Sequence, residues 1–460
     1  MTVDLSIEDT ALARALHHIE QTVRRVGGRA WLVGGSVRDL LLGRQPQDLD
    51  IEITGLAPDR LHDLLQEHFA PQFVGKAFGV FKLKGLPIDL SVPTRLPTDH
   101  QSIAGLEKHA DPTMDIDEAL ARRDFTINAM AWDPATSELR DPFNGRADLN
   151  ARTLRHVSAR FAEDPLRVLR GMQLAARFEL TPAPETIRLC TTLSQEGQPT
   201  ERVWEEWKTL LLQGVTPSRG LEFLRDSAWL RFYPEMAALQ GCPHDPAWHP
   251  EGDVWIHTLH CLDWFAGERT GHETDDLVVG LAVLCHDLGK PLATVSGGER
   301  ITSHGHEQKG EEPTRRFLNR LTNQQRLIED VVSLVLYHLR PRMLYETQAS
   351  DAAIRKLARQ IPRIDRLVRV ARADHAGRPP QPFDGFPAGE WLLKRARQLK
   401  VDVQAPAPIV MGRHLLELGM KPGPEMGRLL ASCYEAQLDG AFSTLEEGLT
   451  YVRSRLAQLR

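Results

Sequence analysis

Across residues 1–150 the apolar positions mix strand and helix periods. Ala30–Gly35 is a short apolar run closed by Gly-Gly, which predicts a strand leading into a tight turn, and Ser36–Leu42 predicts a helix straight after it. Asp48–Ile53, reading DLDIEI, alternates charged and apolar residues as a half-buried strand does. Val80–Val92, with Gly85–Pro87 as its turn, predicts two further strands. This is an α+β pattern. Beyond residue 150 the strand signals almost vanish, and Ala162–Arg177, Glu201–Leu212 and Pro217–Asp226 carry apolar residues at helical spacing. A Pro/Gly/His-rich stretch, Gln240–Gly252, interrupts the helical pattern, and a second break, RPPQPFDGFPAG, begins at Arg378. The expected organisation is an α+β head over 1–150, a helical neck over 151–245, a helical domain over 246–380 and a helical tail over 381–460.

Composition narrows this little. A chain of 460 residues, 42% hydrophobic and 26% charged, is that of a globular protein with more than one core. No apolar run approaches the roughly 18–20 residues of a membrane span, and the first residues lack a basic-then-apolar leader pattern, so the cytoplasm is the expected location. Cys190, Cys242, Cys261, Cys285 and Cys433 are scattered without CxxC spacing, which argues for reduced thiols. The net charge of −6 neither supports nor excludes a nucleic-acid partner, because such binding depends on a local basic patch.

The sharpest chemistry lies at Leu32-Val33-Gly34-Gly35-Ser36-Val37-Arg38-Asp39, followed by Asp48-Leu49-Asp50. Residues i and i+2 of a strand share a face, so Asp48 and Asp50 present two carboxylates side by side, a costly arrangement unless cations neutralise it. Two divalent ions on such a pair can activate a 3′-hydroxyl and stabilise a pyrophosphate leaving group. Asp89, in Ile88-Asp89-Leu90, is the candidate third carboxylate. The Gly34-Gly35-Ser36 turn lets backbone amides approach a triphosphate at a helix start, and Arg38 adds a charged donor.

GGSVRDLLLG…DLD resembles the signature of the class II tRNA nucleotidyltransferases and bacterial poly(A) polymerases, within the polymerase β superfamily. Further elements follow in order: Arg122-Arg123-Asp124-Phe125-Thr126-Ile127-Asn128-Ala129 resembles RRDxxxNA, Asp141–Leu149 resembles DxxxGxxDL, Glu163-Asp164-Pro165-Leu166-Arg167 matches EDxxR, and Glu201–Glu206 resembles a neck-helix element. The resemblance covers about residues 28–215. It implies a polymerase β-like head and a helical neck. It also implies magnesium at Asp48 and Asp50, and Arg122, Arg123, Asp124 and Asn128 near the ribose and triphosphate. The expected substrates are CTP and ATP, and the expected partner is the tRNA acceptor arm.

EDxxR carries its own logic. Taken as one helix, Asp164 and Arg167 are neighbours on a face. A carboxylate accepts from the exocyclic amine of cytosine or adenine, whereas uracil and guanine present a carbonyl there and are repelled. Glu163 is expected to orient the arginine. The segment Pro93–Glu118, with Arg95, Asp99 and His100, corresponds to a loop thought in the family to help switch from C to A addition.

Within Trp255–Asp374, the order His257, His286-Asp287, then His304 and His306, then His338, then Asp374 resembles the HD phosphohydrolase domain fused to some CCA-adding enzymes. The expected ligands of a second divalent metal, of unassigned identity, are His257, His286, Asp287 and Asp374, with His306 and His338 as an outer pair. Such ligands activate water for phosphoester hydrolysis. Arg355, Lys356, Arg359, Arg363, Arg366, Arg369 and Arg372, with Lys394-Arg395-Ala396-Arg397, form candidate phosphate-contacting clusters or ordinary solvated faces. The sequence leaves open full CCA addition, A-only addition, poly(A) synthesis, and an RNA-binding scaffold with a silent head.

Overall fold

A computed structural model describes residues 2–73, 80–95, 109–297 and 300–458, so Asp99 and His100 lie outside the described residues. Contacts divide the chain into two compact units, Met1–Gln198 with Glu222–Trp229 and Pro199–Leu221 with Leu230–Arg460.

The first unit is built on a seven-stranded mixed sheet. Its strands are β1 (Arg29–Val33), β2 (Leu49–Thr54), β3 (Pro71–Phe73), β4 (Val80–Leu83), β5 (Ile88–Ser91), β6 (Ala131–Asp133) and β7 (Glu138–Arg140), in the order β3-β4-β5-β2-β1-β6-β7. β2 and β5 run parallel; the other pairs are antiparallel. The alternation predicted for DLDIEI is realised: Leu49, Ile51 and Ile53 are buried on one face while Asp50 opens to the other. The helix Thr10–Arg25 buries Leu12, Leu16, Ile19 and Val23, a 3.6-period stripe, and Asp9 caps it by accepting from the amides of Ala11 and Leu12.

One predicted element divides. The apolar spacing of Ala162–Arg177 predicts a single helix, yet the chain forms a 3-10 turn over Ala159–Glu163 and an α-helix over Arg167–Phe178. Pro165 supplies the reason. Its ring drives the preceding residue out of the α region, and Asp164 is extended at φ −134, ψ 98.

The second unit is helical, with one two-stranded ribbon, Val295–Ser296 with Ile301–Thr302, among its described residues. Its axis is the helix Glu273–Cys285, in which every residue from Asp276 to Cys285 is buried. A helix apolar on nearly all sides needs neighbours all round. Here they are the helices Thr200–Gln213, Val254–Gly267, Gln325–Tyr337 and Ile364–Ala376. Near it Trp207 packs edge-on against Tyr233 and Phe317, and its indole N–H donates to the Tyr233 hydroxyl at 2.9 Å. The tail has a small core of its own that includes Val410, Leu415, Leu429, Cys433 and Phe442.

Candidate active sites

In the first unit the turn after β1 places the acidic residues. Gly34 has φ +67, a conformation that favours glycine, and a Cβ there would stand 2.6 Å from Arg123 Nη1 and 3.4 Å from Asp50 Oδ2, so the turn lies against both side chains. Ser36, at the start of the helix Gly35–Leu41, donates its hydroxyl to the Asp48 carbonyl (3.1 Å) and accepts from the Asp50 amide (3.0 Å). That hydroxyl ties DLD to the turn. Asp48 precedes β2 and is exposed, Asp50 is half-buried, and Asp50 is the register partner of Asp89 on the parallel neighbour β5. Adjacent strands lie about 4.8 Å apart, so these carboxylates converge. Burial raises the Asp50 pKa and the charges of Asp48 and Asp89 raise it further, against the pull of Arg123. Carboxylates that disfavour each other's charge fit a divalent cation between them. Asp89 also meets Lys82 Nζ at 2.7 and 3.0 Å.

Arg38 turns inward. It is 5% exposed, donates to Asp39 (2.9 Å) and to the Asn128 side-chain oxygen (2.6 Å), and lies over the Phe178 ring. Asn128 in turn donates to Asp124 (3.1 Å), whose other oxygen meets Arg170 at 2.8 Å. Burial opposes the charge on Asp124, but Arg170, the Phe125 amide and Asn128 outweigh it and lower its pKa. Three residues of the two motifs thus form a buried brace. Asp141 accepts from the amides of Gly145 and Arg146, and a Cβ on Gly145 would stand 2.1 Å from the Thr126 carbonyl, so DxxxGxxDL clamps RRDxxxNA from behind.

A cleft of about 490 Å³ lies in this unit, lined among others by Glu52, Arg122, Arg123, Glu163 and Arg167. Asp164 and Arg167 do not share a helix face. Asp164 lies in the extended link and accepts from the Leu166 amide at 3.1 Å, while Arg167 opens the next helix. Arg167 is fixed by the carbonyls of Arg160 (2.8 Å) and Arg122 (2.6 Å), and Glu163 stands 3.9 Å from Arg122. Backbone oxygens thus hold the Arg167 guanidinium, with the charges of Asp124, Asp164 and Glu163 favouring its ionised form. Glu52 and Arg170 escaped the sequence reading. For Glu52 a signal existed, since it continues the i, i+2 series from Asp48 and Asp50.

In the second unit the end of the axial helix delivers His286 and Asp287 into a buried cage. His257 Nε2 stands 3.2 Å from Asp374 Oδ1 and 3.9 Å from Asp287 Oδ2, and His286 Nε2 stands 3.2 Å from Asp287 Oδ2. On the other side of Asp287, His306 is 3.4 Å from Oδ1 and 3.3 Å from His338. His304 is exposed. His286 Nε2 and both Asp287 oxygens are buried, with His286, His306 and Lys290 Nζ (2.7 Å) facing the Asp287 carboxylate, and this set of imidazole and carboxylate groups is of the kind that holds a divalent cation. Burial opposes charge on Asp287, but His286 and Lys290 beside it hold its pKa well below the carboxylate range. Burial, with His306 and His286 nearby, pushes His338 down to about 3, whereas at His257 the effects of Cys261, Asp374 and Glu251 outweigh burial and push it up, so a cation bound there would displace a proton.

Sequence reasoning missed the contribution of Gln240–Gly252. This apparent break folds onto the cage: Glu251 Oε1 lies 2.8 Å from Nδ1 of both His249 and His257, and His244 meets Lys290 at 2.7 Å. A small cavity of about 180 Å³ opens beside Asp287 and Asp374, with Lys290, Arg342, Arg378 and Trp248 around it.

The run of cations from Arg355 to Arg372 is not one stripe. It spans two helices, Asp351–Gln360 and Ile364–Ala376, and most members are engaged: Lys356 with Asp439, Arg359 with Glu435, Arg363 and Arg366 with Asp275, and Arg369 with Asp276. Arg395 pairs with Asp351.

The poly(A) polymerase head domain family matches residues 30–155, and the HD domain family matches residues 254–377. The chain is similar to a multifunctional CCA protein of Laribacter hongkongensis, 37% identical over 78% of this chain and 87% of the relative. One from Halorhodospira halophila is 35% identical over 86% and 92%. Among solved structures, the fold is like that of the Bacillus stearothermophilus CCA-adding enzyme in complex with CTP, with TM-score 0.67, 22% identity and 98% of each chain covered. It is also like that of the Thermotoga maritima CCA-adding enzyme complexed with tRNA, with TM-score 0.60, 20% identity, and 97% and 96% covered.

Proposed function

This chain belongs to the multifunctional CCA protein family, and from that premise we propose that its head adds C and A to tRNA 3′ ends from CTP and ATP. The tRNA 3′-hydroxyl attacks the α-phosphate and pyrophosphate leaves. The observation that carries this is the convergence of Asp48, Asp50 and Asp89 beside the Gly34 turn. Magnesium held by Asp48 and Asp50, with Asp89 as third carboxylate, would supply charge neutralisation at the reacting phosphate and leaving group. The chain's own residues do the rest. Arg122 and Arg123 meet the triphosphate in the cleft, and the Arg38–Asn128–Asp124 brace keeps the two motifs in register. Asp164 accepts from the exocyclic amine of cytosine or adenine. Arg167, with its plane fixed by two carbonyls, offers its remaining N–H groups to the ring nitrogen or carbonyl.

The test is incubation of tRNA ending at the discriminator base, and separately of tRNA ending in CC, with CTP, ATP and magnesium, followed by sequencing of 3′ ends. CCA termini support the reading; single A additions on CC-ended tRNA alone, or long A tails, would replace it with A-only addition or poly(A) synthesis. Unchanged extension by a D48A/D50A double variant would overturn the metal-site assignment.

The cage in the second unit supports a second activity, metal-dependent phosphoester hydrolysis. His257, His286, Asp287 and Asp374 are the proposed ligands; Lys290, ion-paired with Asp287, and Arg378, ion-paired with Asp374, line the cavity into which a phosphate would enter. Divalent-metal uptake together with hydrolysis of a 2′,3′-cyclic phosphate tests it, and absence of both would leave the domain a structural body. No helix among the described residues is long and apolar enough to cross a membrane. Five buried free thiols suit the reducing cytoplasm, where we place the protein.

A further inference from the structure

Glu52 is a carboxylate that neither the metal set nor the base-reading motif uses. It follows Asp50 by two positions on β2 and so stands on the same face, lines the nucleotide cleft and yet is 8% exposed. A buried acid beside a site for a polyanion is costly unless a cation meets it. Arg123 does, with Nη2 3.0 Å from Glu52 Oε2. The other terminal nitrogen of the same guanidinium presses on the Gly34 turn, where a Cβ would stand 2.6 Å from it. The same Cβ would stand 3.4 Å from Asp50 Oδ2, so the guanidinium and the Asp50 carboxylate flank one turn. The arginine thus stands between two carboxylates, one a metal ligand and one not. Released from Glu52, it would be drawn onto Asp50 and compete with the incoming cation.

We propose that Glu52 is a positioning residue that holds the Arg123 guanidinium off Asp50, leaving the carboxylate pair open to magnesium while aiming Arg123 at the triphosphate. This rests on the nucleotidyl-transfer reading of the head.

Glu52→Gln keeps the shape and removes the charge; Glu52→Asp keeps the charge on a shorter arm. In E52Q, KM for both CTP and ATP should rise about tenfold and the magnesium concentration giving half-maximal rate should rise severalfold, with kcat at saturation nearly unchanged. E52D should recover part of the loss, and E52Q should add little once Arg123 is already Lys, the signature of a coupled pair. Unchanged KM and magnesium dependence in E52Q, a lowered melting temperature as its sole effect, or full additivity with R123K would overturn the proposal. Calorimetric titration of magnesium–CTP into wild type and E52Q reads nucleotide affinity without turnover. An inactive wild-type protein therefore counts against the reading of the head, whereas equal affinities count against Glu52.

Discussion

Asp164 shows how one side chain's surroundings set its use. Pro165 forces it out of the helix, so in the proposed function it would reach the base from an extended link while Arg167 would reach it from a helix start. Replacing Asp164 by Ala removes the acceptor that we propose rejects uracil and guanine. Preference for C and A over U and G is expected to fall roughly 10–100-fold with magnesium affinity intact, as read by competition among the four nucleotides. Asp275 permits a pH prediction. Burial opposes its charge, but hydrogen bonds from Arg363 and Arg366 win and bring its pKa from 3.8 to about 2. A carboxylate depressed in the folded state stabilises above its unfolded pKa and loses that contribution as pH falls through the folded value. D275N should therefore be less stable than wild type by roughly 2 kcal/mol at neutral pH. The gap should close between about pH 4 and pH 2 in denaturant melts.

At the scale of elements, the axial helix Glu273–Cys285 explains why the histidine cage is placed so firmly. Its burial on all sides leaves one register in which His286 and Asp287 emerge at its end. The next turn is packed just as closely, since a Cβ on Gly289 would stand 1.9 Å from the His306 carbonyl. Gly289→Ala is expected to push the helix end away from the His306 segment, weakening metal affinity at the cage at least tenfold and costing about 2–4 kcal/mol. Metal titration and thermal melts check both parts. The cation-rich helices Asp351–Gln360 and Ile364–Ala376 teach the opposite lesson. Their arginines look like a nucleic-acid surface when read along the chain, but their carboxylate partners lie far away in sequence, at Asp275, Asp276, Glu435 and Asp439.

At the scale of the molecule, the two candidate sites lie in two compact units of one chain. The expected consequence is functional separability. A His286→Ala, Asp287→Ala double variant should lose metal uptake and any phosphoester hydrolysis while CCA addition stays within about twofold of wild type, since substitutions without shared partners act independently. Loss of both activities together would show that the cage is needed for the head.

Much of this was written in the sequence, because short-range pattern carries it. Alternation fixed the DLD strand, Gly-Gly fixed the turn before it, and ordered motifs identified the head and the HD-type domain. Distances across the chain were not. No local pattern could say that Arg38 and Asn128 meet inside the protein, that the carbonyls of Arg160 and Arg122 hold Arg167, or that the broken stretch Gln240–Gly252 closes over His257. Periodicity reports which face of an element is buried and is silent on what it is buried against. A charge's partner, and with it the choice between brace, ligand and binding group, is decided by packing between segments that the sequence holds apart.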